Sequence, residues 1–253
     1  MGKFDGVLIV SDIDGTLTNS NQELSAENRK AIEYFKSEGG IFTIATGRLS
    51  DYFREKEFEK LINCPAIMLN GAAIYDFKTD EFIYSKKFQD DFLEIYNEIL
   101  AFKKINKIDF CFINKTRNSQ DIDVGNCKDL CKIVTVVEDE QTALDLCEIL
   151  EDKFSKTHEV FRTWSTGVEV LPKGATKGNC VEILRKYLEN IKTVAAIGDF
   201  ENDISLLEKS DVSFAPENAI EELKRKADYI VSHHNNNAIK DVVDILKQKT
   251  PSF

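Results

Sequence analysis

Val7-Leu8-Ile9-Val10-Ser11-Asp12-Ile13-Asp14-Gly15-Thr16-Leu17-Thr18 runs an apolar segment straight into two aspartates one residue apart. A short apolar run bounded by a turn signal is the pattern of a buried strand. In an open parallel sheet, ligands bind beyond the carboxyl ends of the strands, and these two carboxylates emerge there. Carboxylates so close repel one another unless a cation lies between them, and hard oxygen donors suit a divalent ion. Gly15 allows a tight turn and lets backbone amides approach an anion. An Asp- and Gly-rich turn that merely ends a strand would carry the same residues, so the rest of the chain has to be read before function is assigned.

Outward from this segment, short Val- and Ile-rich runs alternate with longer amphipathic stretches at both ends of the chain, the pattern of a parallel sheet covered by helices on both faces. Candidate strands lie at 7–12, 41–46, 66–69, 193–197, 212–214 and 229–231. Between the first two, Ser25 is placed to cap a helix over 25–37, in which Ala31, Ile32 and Phe35 recur at helical spacing before Gly39-Gly40. From about 82 to 171 the pattern changes: helix-like stretches at 91–105 and 141–154 are mixed with strand-like runs at 109–113, at 132–137 and near Val160 and Val168. Such mixing predicts an α+β module with an antiparallel sheet. The predicted fold is therefore α/β, a Rossmann-like parallel-sheet core from residues 1–80 and 173–253 with an α+β domain inserted at 81–172.

Three further places repeat the strand-end pattern. Thr46-Gly47-Arg48 follows the apolar run at 41–45 and precedes a predicted helix, so a hydroxyl and backbone amides stand where a phosphate could be held. A Thr-capped strand-to-helix turn looks the same. Gly174-Ala175-Thr176-Lys177-Gly178 opens an amphipathic helix and offers one lysine to offset phosphate charge, although a lysine at a helix start is commonly just solvated. Ile197-Gly198-Asp199-Phe200-Glu201-Asn202-Asp203 adds two aspartates and an asparagine past a strand of small apolar residues. A pocket drawing on Asp12, Asp14, Asp199 and Asp203 is all hard oxygen, which suits magnesium. One such turn is ambiguous, but four in this order are hard to obtain by chance.

The formal net charge of −11 and pI of about 4.9 oppose nonspecific binding to nucleic acid or to anionic membrane surfaces. A local metal ion and a few Lys or Arg residues can still reverse the sign within one cleft. No run approaches the roughly 18 apolar residues of a membrane span, and the N-terminal run meets acidic residues at once. Neither export nor insertion is signalled, and a cytoplasmic location is expected. Cys64, Cys111, Cys127, Cys131, Cys147 and Cys180 are scattered and read as buried free thiols.

On these motifs the chain resembles the haloacid dehalogenase superfamily and, within it, the Cof-type phosphatases, over nearly its whole length. Asp12 and Asp14 match the first motif, Thr46 the second, Lys177 the third, and Gly198-Asp199 with Asn202-Asp203 the fourth. Asn70-Gly71-Ala72 is similar to the segment leading into the family's cap. The chain departs from the pattern near its end, where His233-His234-Asn235-Asn236-Asn237-Ala238 replaces an acidic pair followed by Gly-Val, so different loop contacts are expected.

The resemblance implies a magnesium-dependent phosphatase of a small phosphorylated metabolite. Asp12 would be the nucleophile that becomes an aspartyl-phosphate, and Asp14 the general acid and then base. Magnesium would be held by Asp12, Asp199 and the Asp14 backbone carbonyl. Thr46 and Lys177 would bind the phosphoryl oxygens, with Asn202 or Asp203 orienting Lys177 or metal-bound water. Gly15, Gly47, Arg48, Asn70, Gly71 and Asn202 are expected around the substrate. The cap would close over the core and set specificity. Arg48, Asn70, Arg162 and Glu169 are candidates there, while His158 is read as a structural strand residue and Trp164 as core packing. A phosphotransferase or phosphomutase on the same scaffold, and a phospholigand-binding domain without turnover, are the competing expectations.

Overall fold

The computed structural model describes residues 2–56, 58–89 and 91–249. In chain order its strands are β1 (Val7–Ser11), β2 (Ile41–Ile44), β3 (Ala66–Met68), β4 (Ala73–Asp76), β5 (Glu81–Ser85), β6 (Ile105–Phe112), β7 (Lys115–Asn118), β8 (Leu130–Val137), β9 (His158–Trp164), β10 (Gly167–Pro172), β11 (Thr193–Ile197), β12 (Val212–Pro216) and β13 (Tyr229–Val231). The helices are α1 (Ala26–Ser37), α2 (Ser50–Glu55), α3 (Phe92–Ala101), α4 (Glu140–Phe154), α5 (Lys177–Tyr187), α6 (Ile204–Glu208), α7 (Glu221–Lys226) and α8 (Ala238–Lys249).

A parallel sheet of order β13-β12-β11-β1-β2 forms the base of the molecule. β1 is an interior strand of this sheet with both faces covered, which is why it is apolar without alternation. Val7 and Ile9 pack with Ile32 and Phe35 of α1 and Val242 and Leu246 of α8. Leu8 and Val10 pack on the other side with Val181 and Leu184 of α5 and Leu206 of α6. Ser25 caps α1 as expected, accepting a hydrogen bond from the Asn28 N–H. The register sets Ser11 beside Ile197 of β11 and Ile44 of β2, so three strands end together and release Asp12, Ala45-Thr46 and Gly198-Asp199 at one edge.

Residues 66–69 do not extend the parallel sheet as a full member. β3 pairs antiparallel with β4, and β4 with β5, in a three-stranded sheet joined to the first through one parallel bridge, Ala45 to Ile67. The turn at Leu69–Gly71 reverses the chain immediately, and a reversal this short can only lead into an antiparallel partner. β5, just inside the expected insertion, belongs to this hairpin.

The second large sheet, β7-β6-β8-β10-β9, is antiparallel throughout. Its faces are sorted by the two-residue period of a strand. Ile108, Phe110, Ile133, Val168 and Val170 bury one face against α3 and α4. On the other, Val134 stands in register between Asp109 and Glu169, with the pair Cys111 and Lys132 beside them. The helix expected over 91–105 ends at Ala101, because Phe102 turns to extended backbone (φ −81°, ψ 147°), and Lys104 beyond it takes φ 65°. At the C-terminal end, His234 Nδ1 hydrogen-bonds the Thr18 carbonyl at 2.7 Å, and Asn235 Oδ1 accepts from the Ser20 N–H at 2.8 Å. The divergent loop is thus tied to the chain just past Thr18.

Candidate active site

Asp12 is the first residue beyond β1, and its N–H donates to the Ile197 carbonyl of β11 at 3.0 Å. Lys177 opens α5 behind it, with Thr176 capping the helix by accepting from the Asn179 N–H. Fully buried, Lys177 Nζ donates to Asp12 Oδ1 at 2.7 Å and to Asp203 Oδ1 at 2.6 Å. The other Asp203 oxygen accepts from the N–H groups of Asp199 and Phe200, which shapes the loop after β11. Carboxylate oxygens of Asp12, Asp199 and Asp203 all lie within 4.8 Å of one another.

Three carboxylates therefore share one lysine. Burial pushes the Asp12 carboxyl well above the usual range; Lys177 opposes this, and Asp203, Asp199 and Asp14 reinforce it. Burial, and then Asp203, lift Asp199 to about 7. Lys177 stays charged, since Asp12 and Asp203 outweigh the burial that disfavours its charge. The surplus negative charge on hard oxygen donors fits a divalent cation such as magnesium.

Gly15 takes φ 75°, and a β-carbon there would stand 2.3 Å from Asp199 Oδ2, so only glycine lets the two loops approach. Two supports escaped the sequence reading. Thr16 Oγ1 donates to Asp199 Oδ1 at 3.3 Å, and Asn218 Nδ2 donates to the Gly15 carbonyl at 2.8 Å. Asp14 is half-exposed and held bidentately by Arg48, Nε to Oδ2 at 2.8 Å and Nη2 to Oδ1 at 2.7 Å. The guanidinium lies 3.9 Å over the Tyr52 ring.

Thr46 is buried, and its carbonyl accepts from the Asn70 N–H at 2.8 Å. Asn70 sends Nδ2 to Glu169 Oε2 at 2.7 Å and receives the Asn202 amide on Oδ1 at 3.2 Å. Gly71 does not line the cleft. A β-carbon on it would stand 2.2 Å from the Thr176 carbonyl carbon, so it lets the turn sit against the start of α5.

The cleft has a volume of about 750 Å³ and lies between this edge, represented by Asp12, Asp14, Thr46, Arg48, Asn70, Asp199 and Asn202, and the polar face of the second sheet. Lys132 and Glu169 form a buried ion pair there at 2.8 Å, and Lys132 also donates to the Gly47 carbonyl at 3.0 Å. Lys132 and Asp109 were not singled out from the sequence. The signal was present in the alternation Ile108-Asp109-Phe110 and Ile133 next to Lys132, which marks a strand with one polar face. His158 and Arg162 stay out of the cleft. His158 stacks on Phe88 inside the second lobe, and Arg162 donates from Nε to Glu201 Oε1 at 2.9 Å and from Nη1 to Glu140. Trp164 was expected in the core, but it is 39% exposed and lines the cleft. It is the last residue of β9, at the tip of the β9–β10 hairpin, and is not part of the apolar cluster under α3 and α4.

With this geometry in view, the chain matches the family of haloacid dehalogenase-like hydrolases over residues 9–123 and 113–243. It is 26% identical to the 5-amino-6-(5-phospho-D-ribitylamino)uracil phosphatase YwtE of Bacillus subtilis, covering 94% of this chain and 97% of the relative. It is 28% identical to YcsE of the same organism, a protein of the same description, covering 88% of each. The fold is also that of a haloacid dehalogenase-like hydrolase from B. subtilis, with a TM-score of 0.80 at 19% identity over 94% of this chain and 98% of that one. The chain therefore belongs to the haloacid dehalogenase-like hydrolase family.

Proposed function

We propose that this enzyme hydrolyses the phosphate monoester of a small phosphorylated metabolite, with Asp12 as nucleophile and magnesium as cofactor. The observation that carries the reading is the meeting of Asp12, Asp199 and Asp203 around Lys177 at one strand edge, on the floor of a cleft. Asp12 attacks phosphorus in line, and its new O–P bond forms as the bond to the leaving oxygen breaks. Asp14 gives that oxygen a proton. It then takes one from a water whose oxygen attacks the aspartyl-phosphate, so that inorganic phosphate leaves and Asp12 is restored. Splitting the reaction helps because phosphate-ester hydrolysis demands accelerations of up to about 10²¹-fold.

Asp12, Asp199 and the Asp14 backbone carbonyl would hold magnesium, which when bound supplies the positive charge that lets one anion approach another. Lys177 and Thr46 bind the phosphoryl oxygens, and Asp203 fixes Lys177. Arg48 fits phosphate as well as carboxylate, so an arriving phosphoryl group competes for its fork and frees Asp14. The inserted unit that follows β5, up to residue 172, acts as the cap, and Gly15, Gly47, Asn70 and Asn202 shape the floor, while Gly71 lets the turn sit against the start of α5. The descriptions of YwtE and YcsE as phosphatases of a phosphorylated metabolite support this substrate class. A free metabolite handled in the cytoplasm, rather than a polyanion or membrane, suits the net charge of −11. No helix among the described residues is long and apolar enough to cross a membrane.

Phosphate release over a metabolite panel with magnesium tests the proposal. Sustained turnover with water as the only acceptor is expected, abolished by excess chelator and reduced by about 10⁴-fold or more in Asp12→Asn. Continued hydrolysis by that variant would refute the nucleophile, and release that requires a sugar acceptor would make the enzyme a transferase.

A further inference from the structure

Trp164, the sole tryptophan, is, among the described residues, the one large aromatic side chain that the second sheet brings to the cleft. Its placement is built rather than incidental. A β-carbon on Gly167 would stand 2.2 Å from Trp164 Cε2, 2.4 Å from Cζ2 and 2.5 Å from Cδ2. Cζ2 and Cδ2 are the neighbours of Cε2 in the six-membered ring, and at these separations only a point above the ring plane is this close to all three. The indole therefore lies face-down on the glycine, its partner in the β9–β10 pairing. Its Nε1–H donates to Thr166 Oγ1 at 3.1 Å, which fixes its rotation. Phe200 lines the same cleft from the loop after β11.

Resting on the phosphatase reading, we propose that Trp164 is a specificity-determining platform, and that the substrate is a phosphate ester whose leaving group carries a planar nitrogen heterocycle stacked on the free indole face. A rigid, preoriented ring with one face occupied offers the other to a flat partner at little entropic cost. The cleft of about 750 Å³ holds far more than a phosphoryl group and a short chain. The polar groups deepest in it are already engaged with one another: Lys132 and Asn70 with Glu169, and Asn202 with Asn70. Hydrogen bonding by a sugar to Lys132, Asn70 or Glu169 would have to break those pairs, whereas Asn202 Oδ1 and Thr163 Oγ1, buried without a partner among the described residues, are left for the polar chain that links ring and phosphate. Stacking leaves the pairs intact.

Two matched pairs test this: uridine 5′-monophosphate against ribose 5-phosphate, and flavin mononucleotide against ribitol 5-phosphate. Each pair differs by the ring, and magnesium is present throughout. At least one ring-bearing ester is expected to be preferred by wild type. Trp164→Leu should lower its kcat/KM by about tenfold or more, within the range that stacking a base on an aromatic ring contributes, and leave its ringless partner within about twofold. Trp164→Phe should recover much of the loss. Gly167→Ala, which lifts the indole from its bed, should reproduce the Leu phenotype with the tryptophan still present. Equal losses on both members of each pair, no loss on either, or a wild-type preference for both ringless esters would overturn the platform. Calorimetric binding of the four esters to Asp12→Asn, with and without Trp164→Leu, gives the same comparison without turnover. If no ester is hydrolysed, the phosphatase reading falls, while a Trp164-dependent preference in binding decides the platform separately.

Discussion

A lysine without solvent contact has to be matched by charge, and Lys177 is matched twice, by Asp12 at 2.7 Å and Asp203 at 2.6 Å. Lys177→Met would leave two buried carboxylates facing each other. It is expected to cost about 3 kcal/mol of folding stability, as removal of one member of a buried ion pair does. Turnover should fall roughly 10²–10³-fold through loss of a preorganised donor to the phosphoryl group. Urea unfolding and phosphate release with magnesium check the two effects; lost stability with an unchanged rate would make the lysine a structural counter-ion only. The placement of Asp12, Thr46 and Asp199 was legible in the sequence because parallel strands end at a common edge, so a polar residue after an apolar run has a predictable address. Asp109, Lys132 and Trp164 had no such address. Which face of an antiparallel strand looks into a cleft depends on where the whole sheet sits, and no run of neighbours encodes that.

Between elements, Lys132 on β8 and Glu169 on β10 form the pair that ties the second sheet to the strand-end loops. Lys132→Met alone strands a buried carboxylate and should cost about 3 kcal/mol, whereas Lys132→Met with Glu169→Leu should recover most of it, because a packed apolar pair replaces a desolvated one. Urea midpoints of the single and double variants decide this; a double variant no more stable than the single would mean that the bond from Glu169 to Asn70 matters more. His158 on β9 gives a pH-dependent case. Burial pushes its imidazole below the usual value, Asp91 opposing, so protonation favours the unfolded chain. Its contribution is intact above about pH 6.5 and is lost as the pH falls below that value. Wild type should therefore lose more stability than His158→Phe between pH 7.5 and 5, and an equal loss in both would remove His158 from the acid response. Helix α1 was readable from its cap and periodicity. The pairing of β3 was not, since three apolar residues look alike in a parallel sheet and in a hairpin, and only the turn at Leu69–Gly71 decides.

Across the whole molecule, apolar side chains collect on the two faces of the parallel sheet, around Ile9, Phe35 and Val242 and around Val10, Val181 and Leu184, and in a further cluster between the second sheet and its helices, around Phe92, Phe110 and Leu146. The change of pattern near residue 82 and its reversal near 171 led to the expectation of an inserted unit, but β5, at its expected start, packs in the hairpin beside the parallel sheet. The orientation of the two sheets was invisible, because the ties that set it join residues distant in sequence, such as Lys132 with Gly47, Asn70 with Glu169, and Arg162 with Glu201. This division predicts how magnesium should act on stability. An ion bound by the carboxyl edge stabilises only states in which that edge is assembled, by about 2.7 kcal/mol at a hundredfold excess over its Kd. Hydrogen exchange should therefore slow on adding magnesium at 7–17 and 193–206, which carry the ligands and their strands, while α3 and α4 keep their rates, since their cluster can open and close with the edge intact. Asp199→Asn should remove the magnesium effect. Equal slowing in both regions would mean that they open as one cooperative unit, with the ties across the cleft strong enough to carry the ion's stabilisation into the second sheet.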